Sequence, residues 1–107
     1  MEKSNFLEVV GSSSTAKVLQ YLIEGRHFDY TLTDIAENGG VSWGTLHMVF
    51  PKLIKQKIVI KTRDIGRAKL YKINTENQVA RKLMDLYDYI TLNTLKRHQE
   101  KEIVVTT

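Results

Sequence analysis

The sequence predicts a mainly α fold with one small β-hairpin (an α+β chain), and three stretches predict it. Residues 33–56, TDIAENGGVSWGTLHMVFPKLIKQ, have the pattern of two short helices joined by a glycine turn. Residues 58–63 and 68–73 alternate apolar and polar side chains around Asp64-Ile65-Gly66-Arg67, the pattern of a hairpin. Further on, Val79, Leu83, Leu86, Ile90 and Asn93 recur at heptad-like spacing, as along one long amphipathic helix.

The elements follow in order. Phe6, Leu7, Val9 and Val10 form an apolar patch of one or two helical turns that packs on the core or on a second subunit, and Gly11 ends it. Ser12, Ser13 and Ser14 are alternative caps for a helix over residues 16–24, with Val18, Leu19, Leu22 and Ile23 inward and Gly25 stopping it. Residues 26–30 are a connector in which Phe28 tucks under the domain and His27 faces solvent, and residues 30–32 are a short strand that pairs with the hairpin. Thr33 caps the next helix, Asp34 sits at the positive end of its dipole, and Asn38-Gly39-Gly40 turns the chain. Ser42 caps the helix after it. Leu46, Val49, Phe50 and Leu53 make its buried stripe, and Trp43, His47, Met48 and Lys52 its outward face, with Gly44 and Thr45 in the first turn. Pro51 is expected to kink this helix and swing Leu53 and Ile54 onto Ile58.

Helix, glycine turn, helix and basic hairpin is the element order of a winged helix. With Ala36 at the helix crossing, Gly40 in the turn, Val41 after it and Leu46 and Val49 as anchors, residues 6–73 resemble the winged helix-turn-helix regulators of the broad MarR, ArsR and PadR kind. The run IGRAKLYKI is similar to the wing of archaeal members. The resemblance implies a homodimeric transcriptional regulator, most often a repressor, that binds double-stranded DNA sequence-specifically with its wing on the minor groove or the flanking backbone.

Charge falls where that resemblance needs it. Residues 1–41 carry three lysines and arginines against six carboxylates, and residues 42–73 carry eight against Asp64 alone. The chain's net charge of +4 therefore sits on the second helix of the pair and on the hairpin, where a polyanion would release counterions. The candidate DNA contacts are Ser42, Trp43, Gly44, Thr45, His47, Met48, Lys52, Arg63, Arg67 and Lys69. The first turn of that helix has no arginine or lysine, which leaves base reading to Ser42, Thr45 and His47 through hydrogen bonds and to Trp43 and Met48 through thymine methyl groups. Trp43 has an alternative role, packing on the preceding helix or the wing. Arg63 and Arg67 suit a narrow minor groove, Lys52 and Lys55 suit phosphates, Asp64 is placed to orient a neighbouring arginine, and Tyr71 and Ile73 belong to the core.

Thr75 is the expected cap of the last helix, over residues 76–98. At 1.5 Å per residue it would run roughly 35 Å, more than one small domain covers. A second copy is the economical partner, through Val79, Leu83, Leu86, Tyr87, Ile90 and Leu95, with two recognition helices then about 34 Å apart for successive major grooves. Met84 widens that seam. The alternative is that the helix wraps its own domain. Residues 1–74 would thus be the winged-helix domain, and residues 75–107 the dimerisation helix and a tail containing Ile103-Val104-Val105.

Composition narrows the remaining classes. A length of 107 residues fits one domain, and 42% hydrophobic with 26% charged residues fits a globular one. Zero cysteines exclude disulfides and thiolate metal sites, no apolar run approaches the roughly 20 residues of a membrane span, and Glu8 interrupts what would be a signal peptide. A cytoplasmic protein is expected, with no membrane partner. His27, His47 and His98 lack metal-ligand spacing and no phosphate loop is present, so neither an enzyme nor a cofactor is expected; an effector is left open. A different class of function also fits: a winged-helix interaction module of transcription machinery or a plasmid partition complex, holding protein with Trp43 and Met48.

Overall fold

The computed structural model describes the backbone of residues 5–106 and the side chains of residues 5–97. Its elements are α1 (Asn5–Val10), α2 (Ser14–Glu24), α3 (Leu32–Gly39), α4 (Trp43–Lys55), β1 (Val59–Ile65), β2 (Ala68–Ile73) and α5 (Gln78–Thr106). This is the mainly helical architecture with a hairpin and a long last helix that the sequence predicts.

Caps decide where the helices begin. Of the three serines before α2, Ser13 is the cap, its Oγ accepting from the Ala16 N–H at 3.1 Å. For α3 the cap is Thr31 and not Thr33. Its hydroxyl accepts from the Asp34 N–H, and the Asp34 carboxylate accepts from the Thr31 N–H, both at 3.1 Å, so two otherwise unpaired donors are satisfied reciprocally. Because α3 starts at Leu32, the strand expected over residues 30–32 shrinks to one bridge. Tyr30 and Tyr71 exchange backbone hydrogen bonds of 2.7 and 2.8 Å there. Gly40, at φ +75°, makes the turn out of α3 in a conformation that a side chain would strain.

The helix α4 runs unbroken through Pro51 to Lys55. It ends in a Schellman motif: Lys57 N–H reaches Ile54 O at 2.9 Å and Ile58 N–H reaches Leu53 O at 3.1 Å, with Lys57 left-handed at φ +60°. The buried pair Leu53 and Ile58 closes that motif, whereas Ile54 is exposed, contrary to the expectation that both residues after Pro51 turn inward. One helical position separates them, about 100° of rotation, so both cannot face the same core.

The core gathers one stripe from each helix. Val18, Leu22 and Ile23 of α2, Ile35 of α3, Leu46 and Phe50 of α4, and Val59 and Ile73 of the hairpin are buried together with Phe6 and Leu7 of α1. Each such side chain contributes roughly 1.5–3 kcal/mol when fully buried, so this cluster outweighs any single polar contact in fixing the fold. Tyr71 packs against it, edge to face with Phe50 at 4.9 Å between ring centroids. Phe28 does not: the neighbouring Asp29 and Tyr30 tie the connector to the hairpin, and Phe28 is left 68% exposed.

The last helix begins at Gln78, later than expected. Asn77 is its cap, accepting from the Ala80 N–H at 2.9 Å, while Asn74 Oδ1 accepts from the Glu76 N–H and holds Thr75 and Glu76 in a turn. Its first half lies on its own domain. Ala80 and Met84 are buried there, and Leu83, Tyr87 and Ile90 pack against the core, Tyr87 with its ring 5.5 Å from that of Phe6. Three of the six residues expected at a subunit seam are thus engaged within the chain, because α1 and α2 cover that side of α5. Expectations for His98 and for Ile103, Val104 and Val105 lie outside the described side chains.

Candidate nucleic-acid interface

The first turn of α4 is built by Ser42. Its Oγ accepts from the Thr45 N–H at 3.2 Å and donates to Thr45 Oγ1 at 2.8 Å, which commits the Ser42 hydroxyl to the cap while the Thr45 hydroxyl keeps its own proton to donate. Beyond the cap, Met48 stands 72% exposed on the face opposite Leu46 and Phe50, with Lys52 exposed one turn on. Trp43, 50% exposed at the first turn, lies seven residues before Phe50 and so on that residue's side of the helix, with His47 exposed next to it. The Trp43 and His47 rings meet edge to face at 4.5 Å. A side chain at Gly44 would meet no neighbouring atom, so this stretch of helix backbone is open to an approaching ligand.

The hairpin stands beside that turn. Gly66 and Arg67 form its two-residue loop, and Gly66 takes φ +60° as the first central residue of a type II′ turn must. Register is regular from Ile65↔Ala68 to Arg63↔Leu70, then slips, so that Lys61 faces Tyr71 and Thr62 is the extra residue of a β-bulge. The strands extend further than expected, β1 reaching Ile65.

A cleft of about 240 Å³ joins the two elements. Trp43 of α4, Arg67, Ala68, Lys69 and Tyr71 of the hairpin, and Thr31, Leu32 and Thr33 at the start of α3 line it. The lining is mainly apolar and includes two cations and three hydroxyl-bearing side chains. Arg67, Lys69 and Lys52 have no ion pair among the described residues, and so present uncompensated charge.

Two other hairpin cations, Arg63 and Lys61, are engaged within the chain. Arg63 donates from Nε and a terminal nitrogen to Asp29 at 2.9 and 3.1 Å, and Thr62 Oγ1 donates to the same carboxylate at 2.6 Å. These bonds, the guanidinium's first, hold the Asp29 carboxyl down at about 2. Asp64 pairs with Lys61 at 2.8 Å, contrary to the expectation that it orients a neighbouring arginine; an i, i+3 neighbour on its own strand holds it instead.

Of the predicted contact residues, then, Trp43, Arg67 and Lys69 share one cleft. Ser42, Gly44, His47 and Met48 lie exposed on the same helix, with Thr45 half-buried. Lys52 lies exposed farther along, and Arg63 is turned to Asp29. Thr31, Thr33 and Leu32 are cleft residues the sequence reading missed. The signal was present in Thr31-Leu32-Thr33-Asp34, a capping-box pattern that places Thr31 and not Thr33 at the helix start.

A second surface runs along α1 and α5. Asn5, Glu8, Val9, Leu86, Tyr89, Ile90, Asn93, Thr94 and Arg97 line a groove of about 320 Å³, and Val9, Tyr89, Leu92 and Leu95 are each more than half exposed. Val79, expected on a subunit seam, is exposed too, near the start of the helix. No described helix is long and apolar enough to cross a membrane, and the described residues contain no group of three or more His, Cys, Asp or Glu side chains placed to hold a metal.

With two helices at a glycine turn, a hairpin beside the second helix and a long helix after it, the arrangement superposes on solved transcription regulators. The fold is a winged helix. ZitR of Lactococcus lactis, described as a zinc-responsive MarR family member, aligns with a TM-score of 0.61 and 22% identity over 83% of this chain. MepR, a transcription regulator of the Staphylococcus aureus multidrug efflux pump MepA, aligns at 0.63 and 14% over 95% of this chain and 81% of its own. AdcR of Streptococcus pyogenes, the adhesin competence repressor, aligns at 0.59 and 22% over 79% of this chain and 65% of its own. The winged-helix chain described here spans only 58% of the length of ZitR. No family model matches it, and no curated protein does. ZitR has been solved in complex with DNA and MepR bound to an oligodeoxyribonucleotide.

Proposed function

We propose that this chain is a sequence-specific double-stranded DNA-binding protein that works as a homodimeric transcriptional regulator, a repressor, in the cytoplasm. The observation that carries the reading is the cleft in which Trp43 of the recognition helix meets Arg67 and Lys69 of the wing. An apolar helix face and unpaired cations on one surface suit a duplex, whose phosphates need charge and whose groove needs a helix. DNA complexes of ZitR and MepR, which share the fold, support it.

Residues 1–74 serve as the reading domain and residues 75–107 as the dimerising part. The exposed apolar residues Val9, Leu86, Tyr89, Leu92 and Leu95 support a second copy on the α1 and α5 groove. The seam proposed on this groove keeps Leu86 and Leu95 of the expected one and adds Val9, Tyr89 and Leu92. The wing sequence IGRAKLYKI favours a regulator of the archaeal kind. Selection of sites from random duplex DNA, with sedimentation to count subunits, tests all of this together. Enrichment of a two-fold symmetric site by a dimer is expected. Binding of a protein partner with no enrichment of any duplex would favour the interaction-module reading instead.

A further inference from the structure

The outward face of α4 lacks the side chains that usually read bases. No arginine, asparagine, glutamine or acidic residue occurs between Trp43 and Lys55, and the first lysine, Lys52, lies nine positions after Trp43, about 13 Å along the axis. The N-terminal turns of a recognition helix are the ones that meet base edges. Bidentate recognition of guanine by arginine or lysine, and of adenine by asparagine or glutamine, is therefore absent from those turns. The Ser42 hydroxyl is committed to the cap, which leaves two directional groups on these turns, the Thr45 hydroxyl as a donor and the His47 ring, and the latter packs edge to face with Trp43.

What the helix does present is apolar: Trp43 half exposed, Met48 72% exposed, and bare backbone at Gly44. In the major groove the apolar feature of a base pair is the C5-methyl group of thymine. Resting on the reading of this surface as a duplex-binding one, we infer that Trp43 and Met48 determine specificity by contact with thymine methyl groups. The preferred sites are then thymine-rich where α4 lies. The cations Arg67 and Lys69, which line the cleft beside Trp43, and Lys52, one turn beyond Met48, supply affinity for phosphates without information about sequence.

Deoxyuridine lacks only that methyl group, so it isolates the contact. A duplex selected from random DNA by the full chain is resynthesised with thymines replaced one at a time by deoxyuridine, and its affinity is measured at fixed salt. Wild type is expected to lose about fourfold for each contacted methyl, the equivalent of burying one small apolar group. Met48→Ala and, separately, Trp43→Ala are expected to bind the selected duplex more weakly and to become insensitive to deoxyuridine at the positions each side chain covers. Equal wild-type affinity for the thymine and deoxyuridine duplexes overturns the inference while leaving duplex binding intact. Failure to select any duplex overturns the DNA-binding reading, and the inference with it. Both side chains are exposed, so a folded variant is expected, and unchanged melting temperatures verify it.

Discussion

Arg63 reaches back across thirty-four positions of sequence to grip Asp29, and Thr62, its neighbour, grips the same carboxylate. Adjacent residues of a regular strand point to opposite faces, so two of them can share one partner only because the β-bulge interrupts the alternation. The wing is thereby fastened to the connector before α3, and Arg63 becomes a wing-positioning residue instead of a free cation. Asp29→Asn is expected to steepen the salt dependence of duplex binding, by releasing the Arg63 charge to phosphate.

The same pair has a pH signature. Folding lowers the Asp29 pKa to about 2 from its ordinary value near 3.8, so its contribution to stability is complete above that ordinary value and is lost as pH falls through about 2. Thermal melts between pH 4 and pH 2 should fall less steeply in Asp29→Asn than in wild type. Above pH 5 the pair should not respond to pH.

Tyr87 acts at the other end of the scale. Burial first, then donation of its hydroxyl to Glu24 Oε1 at 2.9 Å, pushes its pKa up to about 12. The neutral phenol is favoured by folding, so stability should decline between about pH 10 and 12 as the group ionises. Tyr87→Phe is expected to flatten part of that alkaline decline, measured by circular dichroism, with little change near neutrality.

Gly25 has a steric role at the end of α2. A Cβ there would collide with the Tyr30 hydroxyl oxygen and lie 2.7 Å from its ring. Tyr30 cannot move freely, since its ring packs at a tilt against that of Tyr21, 4.8 Å between centroids, and its backbone bridges Tyr71. Gly25→Ala should destabilise by about 1–3 kcal/mol, as overpacking does, and the loss should shrink in a Tyr30→Ala background.

Gly44 has the opposite character. Nothing crowds a side chain there, and Gly44→Ala should stabilise the helix by about 0.5–1 kcal/mol. If the bare backbone lies against DNA, the same change weakens duplex binding. Melting temperature and affinity moving in opposite directions would be the expected result.

Much of this fold was legible because its signals are local. The buried stripe Leu46, Phe50 and Leu53 follows from helical periodicity, the Ser42 cap from residue type, and Gly40 and Gly66 from the backbone angles their turns demand. The start of α3 was misplaced because Thr31 was taken into a strand, although its capping box is equally local. The fate of Arg63 was not legible at all, since it depends on where the chain returns Asp29 and on a bulge that no residue pattern announces. What covers the heptad face of α5 was not legible for a related reason. Periodicity tells which residues share a face, but not whether α1 or a second subunit covers it, and Leu83 and Tyr87 went to the former while Leu95 stayed exposed.

The central claim is that Trp43 and the wing cations form one duplex-binding surface, and the salt dependence of binding tests it most directly. Affinity for a selected duplex, measured across a salt series for wild type and Arg67→Ala, should fall linearly in log–log form, with a slope shallower in the variant by about one for each protomer bound. Identical slopes and affinities for the two proteins would contradict the account.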